Sequence, residues 1–164
     1  MTSQLVLVTD TNIWIDLDNG GILADVFRLP YHFLTPDIAT RELIRPRWQT
    51  LQALGLVLHE LEADQVTELV QLRLFHRNLS IIDLAAFLLA KDLDATLLTG
   101  DSRLYELAVA NGLSVRGVLW LLDEIIRLRV LVPERAAVAL QKMLAMGARL
   151  PRDECRKRLV NWST

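Results

Sequence analysis

A chain of 164 residues, 52% of them hydrophobic, with a formal net charge of −2 has enough apolar material for one domain with a full core; its mean hydropathy of +0.28 is high for a soluble protein. The charge excludes a general electrostatic pull toward a polyanion, so nucleic-acid binding would rest on local patches or on bound cations. A lone Cys155 excludes an internal disulfide, no Cys/His spacing suits zinc, and the most apolar stretch, 117–132, is broken by Asp123, Glu124, Arg127 and Arg129, which excludes a membrane span of about 20 apolar residues.

Leu5-Val-Leu-Val8 is a short apolar run ending in Thr9-Asp10 and predicts a buried strand. Thr11 to Asp18 has helical spacing, broken at Asn19-Gly20-Gly21, and 22–29 reads as a second short helix stopped at Pro30. Tyr31 to Leu34 predicts the second strand. Thr35-Pro36-Asp37 then predicts a helix start, with Thr35 as N-cap and Pro36 at the first position, running to about Ile44. Trp48 to Leu54 predicts a helical turn closed by Gly55, and Leu56 to His59 a third strand. Glu62 to Arg77 is helical through Val66, Leu69, Val70 and Leu74, while Ser80 to Leu93 is apolar nearly all round and predicts a buried helix.

Thr96 to Thr99 predicts a fourth strand, Ser102 to Ala110 a helix and Ser114 to Arg116 a fifth strand, before helices over about 117–130, 133–146 and 151–161. Strands alternating with helices predict an α/β class with a mainly parallel sheet of four to five strands. No repeat or linker divides the chain, so a single domain over 1–164 is expected, with a core to about 130 and a helical extension beyond. A sheet covered on both faces and a subunit interface would absorb the apolar surplus. The N-terminus has no basic region with a cleavage site after it, and a cytoplasmic location is expected.

Four acids occupy positions of interest. Asp10 and Asp101 each come after a strand and before a helix, the edge where open α/β sheets place ligands; both also fit helix N-caps. Glu42 is expected on the apolar arc of its helix beside Ile38 and Ala39. Asp83 lies among Ile81, Ile82, Leu84, Ala85 and Ala86, although Ser80-x-x-Asp83 also fits a capping box. Buried ionised carboxylates are costly unless paired or bound to metal. Four converging acids would favour Mg²⁺ or Mn²⁺, which prefer hard oxygen ligands, and such ions activate water and stabilise leaving oxygens in phosphodiester hydrolysis.

The segments Val6-Leu-Val-Thr-Asp-Thr-Asn-Ile-Trp-Ile15, Thr35-Pro-Asp-Ile-Ala-Thr-Arg-Glu-Leu43, Ser80-Ile-Ile-Asp-Leu-Ala-Ala86 and Leu97-Leu-Thr-Gly-Asp-Ser-Arg-Leu104 resemble, in that order, the PIN-domain family of metal-dependent nucleases. The resemblance reaches from about residue 5 to 120. It implies a three-layer α/β/α sandwich, places Asp10, Glu42, Asp83 and Asp101 as the catalytic and metal-binding acids, and points to Asn12, Thr99 and Ser102 as polar companions. It implies cleavage of RNA, and the tail from Gly117 resembles a subgroup with an extended C-terminus. Many relatives, the VapC-like toxin ribonucleases, form homodimers and are blocked by a small antitoxin protein. An RNA-processing nuclease with no antitoxin and a non-catalytic scaffold are the alternatives.

Arg41, Arg45, Arg47 and Trp48 cluster beside Glu42, and Arg103 stands two residues after Asp101; Arg41, Arg45 and Arg103 are candidate RNA contacts. A phosphotransferase using Asp10 as nucleophile would want a second acid two residues later, where Asn12 stands, and a Lys at a later strand end, whereas the lysines are at 91, 142 and 157. His32, His59 and His76 belong to no motif. Cys155 lies in a charged helix without a His partner, which argues against a nucleophile.

Overall fold

The computed structural model describes residues 5–163. Strands β1 (Leu5–Thr9), β2 (Tyr31–Pro36), β3 (Val57–His59), β4 (Thr96–Leu98) and β5 (Val115–Arg116) form one sheet in the order β3-β2-β1-β4-β5. The pairings between these strands are parallel. The helices are α1 (Thr11–Asn19), α2 (Leu23–Val26), α3 (Trp48–Leu54), α4 (Ala63–Phe75), α5 (Ile81–Asp92), α6 (Ser102–Ala110), α7 (Val118–Arg127), α8 (Pro133–Ala145) and α9 (Arg152–Trp162).

Leu7 and Val8 on β1 are both fully buried because successive strand residues face opposite sides and both sides are covered. Leu7 joins a core with Trp14, Phe33, Leu121, Leu140 and Met143, from α1, β2, α7 and α8. Val8 joins a second core with Leu69, Leu84, Leu88, Leu97 and Leu104, from α4, α5, β4 and α6. The result is the α/β class expected from the alternation of elements, arranged as the α/β/α sandwich that the family resemblance implies. Among the described residues no helix is long and apolar enough to cross a membrane.

Two local expectations are corrected. Thr35 does not cap a helix: its hydroxyl donates to the Thr9 carbonyl at 3.2 Å, and β2 continues through Pro36, which at φ −61° and ψ 139° is itself the N-cap residue. The next element is a single 3-10 turn, Asp37–Arg41, not a helix to Ile44. Thr35 and Pro36 pair with Leu58 and His59 of β3, and that sheet pairing outweighs the capping signal of Thr35.

The C-terminal helices are not an appendage. Leu121, Leu122, Ile125, Leu140 and Met143 are completely buried, and Cys155 and Trp162 of α9 complete the same core. Cys155 is therefore enclosed within an otherwise charged helix, and burial pushes its thiol pKa up. Gly20, at the end of α1, packs against α8: a Cβ there would stand 2.6 Å from Met143 Cε and 3.2 Å from the Ala139 carbonyl oxygen. The methionine end can swing aside, but the carbonyl is helix backbone. Gly20→Ala is expected to destabilise the protein by about 1–3 kcal/mol through overpacking, a fall of roughly 2–4 °C in Tm per kcal/mol at this size. Calorimetry showing an unchanged Tm would contradict this close approach.

Candidate functional site

In a parallel sheet, crossovers that depart in opposite directions leave a crevice at the carboxyl ends of the two strands where the order reverses. Here that switch point lies between β1 and β4: β2 and β3 extend the sheet to one side and β5 to the other. Asp10 comes directly after β1, and its amide donates to the Leu98 carbonyl at 2.9 Å. It holds the N-cap position of α1 with extended backbone (φ −69°, ψ 147°), yet its side chain makes no capping hydrogen bond.

The carboxylate instead lies 4% exposed and accepts a 3.0 Å hydrogen bond from the Thr99 hydroxyl. Burial is the largest influence on its acidity and the charge of Asp83 the next, both upward. The Thr99 hydroxyl and the Thr11 amide pull downward, and Glu42 adds a smaller upward push. Together they raise Asp10 from 3.8 to about 7.

Thr99 is a junction. Its hydroxyl donates to Asp10 and accepts from the Asp101 amide at 3.1 Å, tying the ends of β1 and β4 together. In the sequence it looks like any strand-end threonine; what distinguishes it is the adjacency of β1 and β4, which the topology supplies.

Asp83 and Glu42 stand near enough to raise the pKa of Asp10, but neither is buried as expected. Asp83 is half-buried, and its carboxylate accepts from the Ser80 amide at 3.1 Å while the Ser80 hydroxyl accepts from the Asp83 amide at 3.0 Å. Both halves of the capping box are formed. At the third helical position the side chain can reach back past the helix start, and the fully buried run begins one residue later at Leu84. Glu42 is exposed, because the 3-10 turn ends at Arg41 and one turn is too short to carry an apolar stripe. Its carboxylate accepts from the Thr11 hydroxyl at 3.3 Å, next to Asp10.

Asp101 caps α6, accepting from the Arg103 and Leu104 amides at 2.8 and 3.2 Å, and its other oxygen pairs with the Arg103 guanidinium at 3.2 Å. Partial burial raises its pKa, but the Arg103 side chain and the two amides outweigh this and hold the carboxyl below its usual value. The four acids thus gather unequally. Asp10 feels the charges of Asp83 and Glu42, and Asp101 joins through Thr99 with its carboxylate turned to Arg103. Among the described residues no three His, Cys, Asp or Glu side chains are grouped as a ready-made metal site.

A cleft of about 320 Å³ opens alongside, bordered by Asn12, Asp16, Thr99, Asp101 and Ser102. Asn12 and Ser102 are exposed, and neither is among the hydrogen-bond partners of Asp10. Arg41 and Arg45 are exposed near Glu42 in the chain. Asp16 is an addition to the residues expected from the sequence: half-buried on α1, it has its pKa raised by burial. Its signal is its place four residues after Asn12, which puts both on one helical face.

An all-parallel sheet between two helical layers, with acids at its switch point, defines a three-layer α/β/α protein. The chain belongs to the PIN-domain family: residues 6–164 match the family model described as "DUF3368: PIN domain". The fold of this family is a nuclease fold. A solved structure, a PilT N-terminus domain protein from the hyperthermophilic archaeon Sulfolobus solfataricus, has the same fold, with a TM-score of 0.53 and 15% identity over 74% of this chain and 94% of that one. No curated protein matches.

Between about pH 3.8 and 7 the folded protein keeps the Asp10 proton that the unfolded chain has lost, so this group makes stability fall as pH rises through that window, by on the order of 4 kcal/mol in total. Denaturant titrations in EDTA are expected to show that fall, with Asp10→Asn flattening it; identical pH profiles for the two proteins would refute the assignment. Thr99→Val removes the donor that favours ionised Asp10 and is expected to raise the Asp10 pKa further, read by NMR of the carboxyl carbon.

Proposed function

We propose that this chain is an endoribonuclease dependent on Mg²⁺ or Mn²⁺, with Asp10, Glu42, Asp83 and Asp101 as its metal-binding and catalytic acids. The observation that carries the reading is Asp10: a buried carboxyl at the switch point, raised to about 7 by burial and by Asp83. A carboxylate that cannot comfortably ionise beside other acids is stabilised by a cation. The donor set is all oxygen, which fits a hard divalent ion. Membership of a family with a nuclease fold supports the same reading.

Bound there, such an ion would supply Lewis-acid polarisation of a phosphodiester and a water of lowered pKa. The residues contribute the rest. Thr99 holds Asp10 in place and favours its ionised form. Ser80 fixes Asp83 in one orientation, and Thr11 does the same for Glu42. Asp101 turning toward a cation would leave Arg103 available for a phosphate, to which guanidinium groups bind through paired donors. Arg41 and Arg45, beside Glu42, are proposed as further RNA contacts; Asn12 and Ser102, bordering the cleft, are proposed as polar companions to substrate or water.

The role proposed is that of the toxin of a toxin–antitoxin pair, acting in the cytoplasm as one domain and as a homodimer, with an RNA-processing enzyme as the alternative role. Exposed Val66, Val70 and Leu74 recur at four-residue spacing on α4, with Phe75 83% exposed beside them, and this stripe is the proposed dimer surface. A non-catalytic scaffold is the second reading. It is favoured by the engagement of Asp83 and Asp101 in helix caps.

Purified protein with Mn²⁺ or Mg²⁺ is expected to cleave single-stranded or structured RNA. EDTA is expected to abolish cleavage, and Asp10→Asn to lower kcat by at least about a hundredfold, the scale on which removing one electrostatic stabiliser of a transition state acts. Cleavage that persists in EDTA, or in Asp10→Asn with Asp101→Asn, defeats the mechanism; absence of divalent-ion binding by calorimetry favours the scaffold. Val70→Glu with Leu74→Glu is expected to convert a dimer to a monomer in light scattering.

A further inference from the structure

The cleft beside the acids has features that phosphodiester hydrolysis does not require. Its volume of about 320 Å³ is at the small end of ligand pockets. The Asp16 carboxylate borders it half-buried and, among the described residues, makes no hydrogen bond or ion pair, so it has lost part of its hydration and gained no donor in exchange. Asn12, one turn earlier on the same face of α1, also has no side-chain partner among the described residues. Tyr105, 50% exposed on α6, and Trp120 on α7 supply aromatic surface. Arg149 and Leu150, in the connection between α8 and α9, also line it.

Unpaired RNA bases are recognised by stacking on aromatic rings and by hydrogen bonds to their Watson–Crick edges. A carboxylate only accepts hydrogen bonds, through two oxygens side by side. Guanine alone among the four bases presents two adjacent donors on that edge, N1–H and the N2 amine. Next to them lies an acceptor, O6, which an amide such as that of Asn12 can satisfy. Adenine and cytosine each present one donor beside an acceptor, and uracil one donor between two acceptors.

We infer that this cleft is a subsite for an unpaired guanine next to the scissile phosphate, with the Asp16 carboxylate as the residue that specifies the base. The inference rests on reading the chain as a nuclease that acts on RNA. It gives the α8–α9 connection a part in substrate choice, since Arg149, Leu150 and Pro151 line the same cleft.

NMR titrations of metal-free protein with guanosine, inosine, adenosine, cytidine and uridine 5′-monophosphates need no cleavage and so separate the subsite from the nuclease. Guanosine monophosphate is expected to bind about tenfold tighter than the others, the range of one bidentate base contact. Inosine, which lacks the N2 amine, reports on Asp16 directly, and Asp16→Asn is expected to erase the guanosine–inosine difference. Equal binding of guanosine and inosine monophosphates to the unaltered protein overturns the subsite whether or not the variant folds. So does an undiminished preference in Asp16→Asn. RNA cleavage without a guanine at a fixed position beside the cut also overturns it while leaving the nuclease reading intact. Guanosine selectivity in a protein that cleaves no RNA supports the subsite and rejects the nuclease.

Discussion

A carboxyl group buried where β1 meets β4 is the constraint around which this molecule is arranged. The parallel register that aligns Thr9 with Leu98 leaves Asp10 at the point on the sheet where two crossovers part, with helices closing above and below. Burial there makes ionisation expensive, and the Thr99 hydroxyl is the side-chain donor that opposes it. The same hydroxyl accepts from the Asp101 amide, so the hydrogen bond that tempers Asp10 also sets the entry into α6. A polar group with two engagements holds two strand ends in register more firmly than either bond alone, since neither can be lost without disturbing the other.

The remaining acids illustrate a competition between two uses of one side chain. Helix N-termini attract carboxylates through their unpaired amides, and an acid at a helix start beside a ligand crevice can serve either the helix or the ligand. Asp83 serves α5 and Asp101 serves α6, each with oxygen lone pairs to spare. Asp10 holds the N-cap position on α1 and does not cap it. The difference comes from depth: the Asp10 side chain is buried, whereas Asp83 and Asp101 are only partly so. The acid that declines its cap is therefore the one whose role the helix cannot explain.

Much of the fold is legible in the sequence because parallel sheets and their helices leave strong periodic traces. The span of α6 is reproduced residue for residue. The misreadings arise where two local signals collide. Thr35-Pro36 carries a helix-start signature, but pairing with Leu58 and His59 of β3 draws it into the sheet. Glu42 reads as buried through a periodicity that its single turn cannot sustain. Thr99 and Asp16 stand out little in the sequence for the opposite reason, as their significance comes from neighbours distant in the chain. Asp101 and Arg103, two residues apart, are easy to associate and turn out to satisfy each other.

The core on one side of the sheet contains both Leu7 from the first strand and Trp162 from the last helix. Contacts of such sequence separation form late, because the loop they close is the longest the chain offers. During synthesis the N-terminal portion leaves the ribosome first, carrying β1 and Asp10 with that core incomplete until α7, α8 and α9 arrive. Val118, Leu119 and Trp120 of α7 and Arg149, Leu150 and Pro151 between α8 and α9 border the crevice, so its lining is complete only once the chain has been made through residue 151. A nascent chain shorter than that carries Asp10, Glu42, Asp83 and Asp101 without the complete cleft beside them.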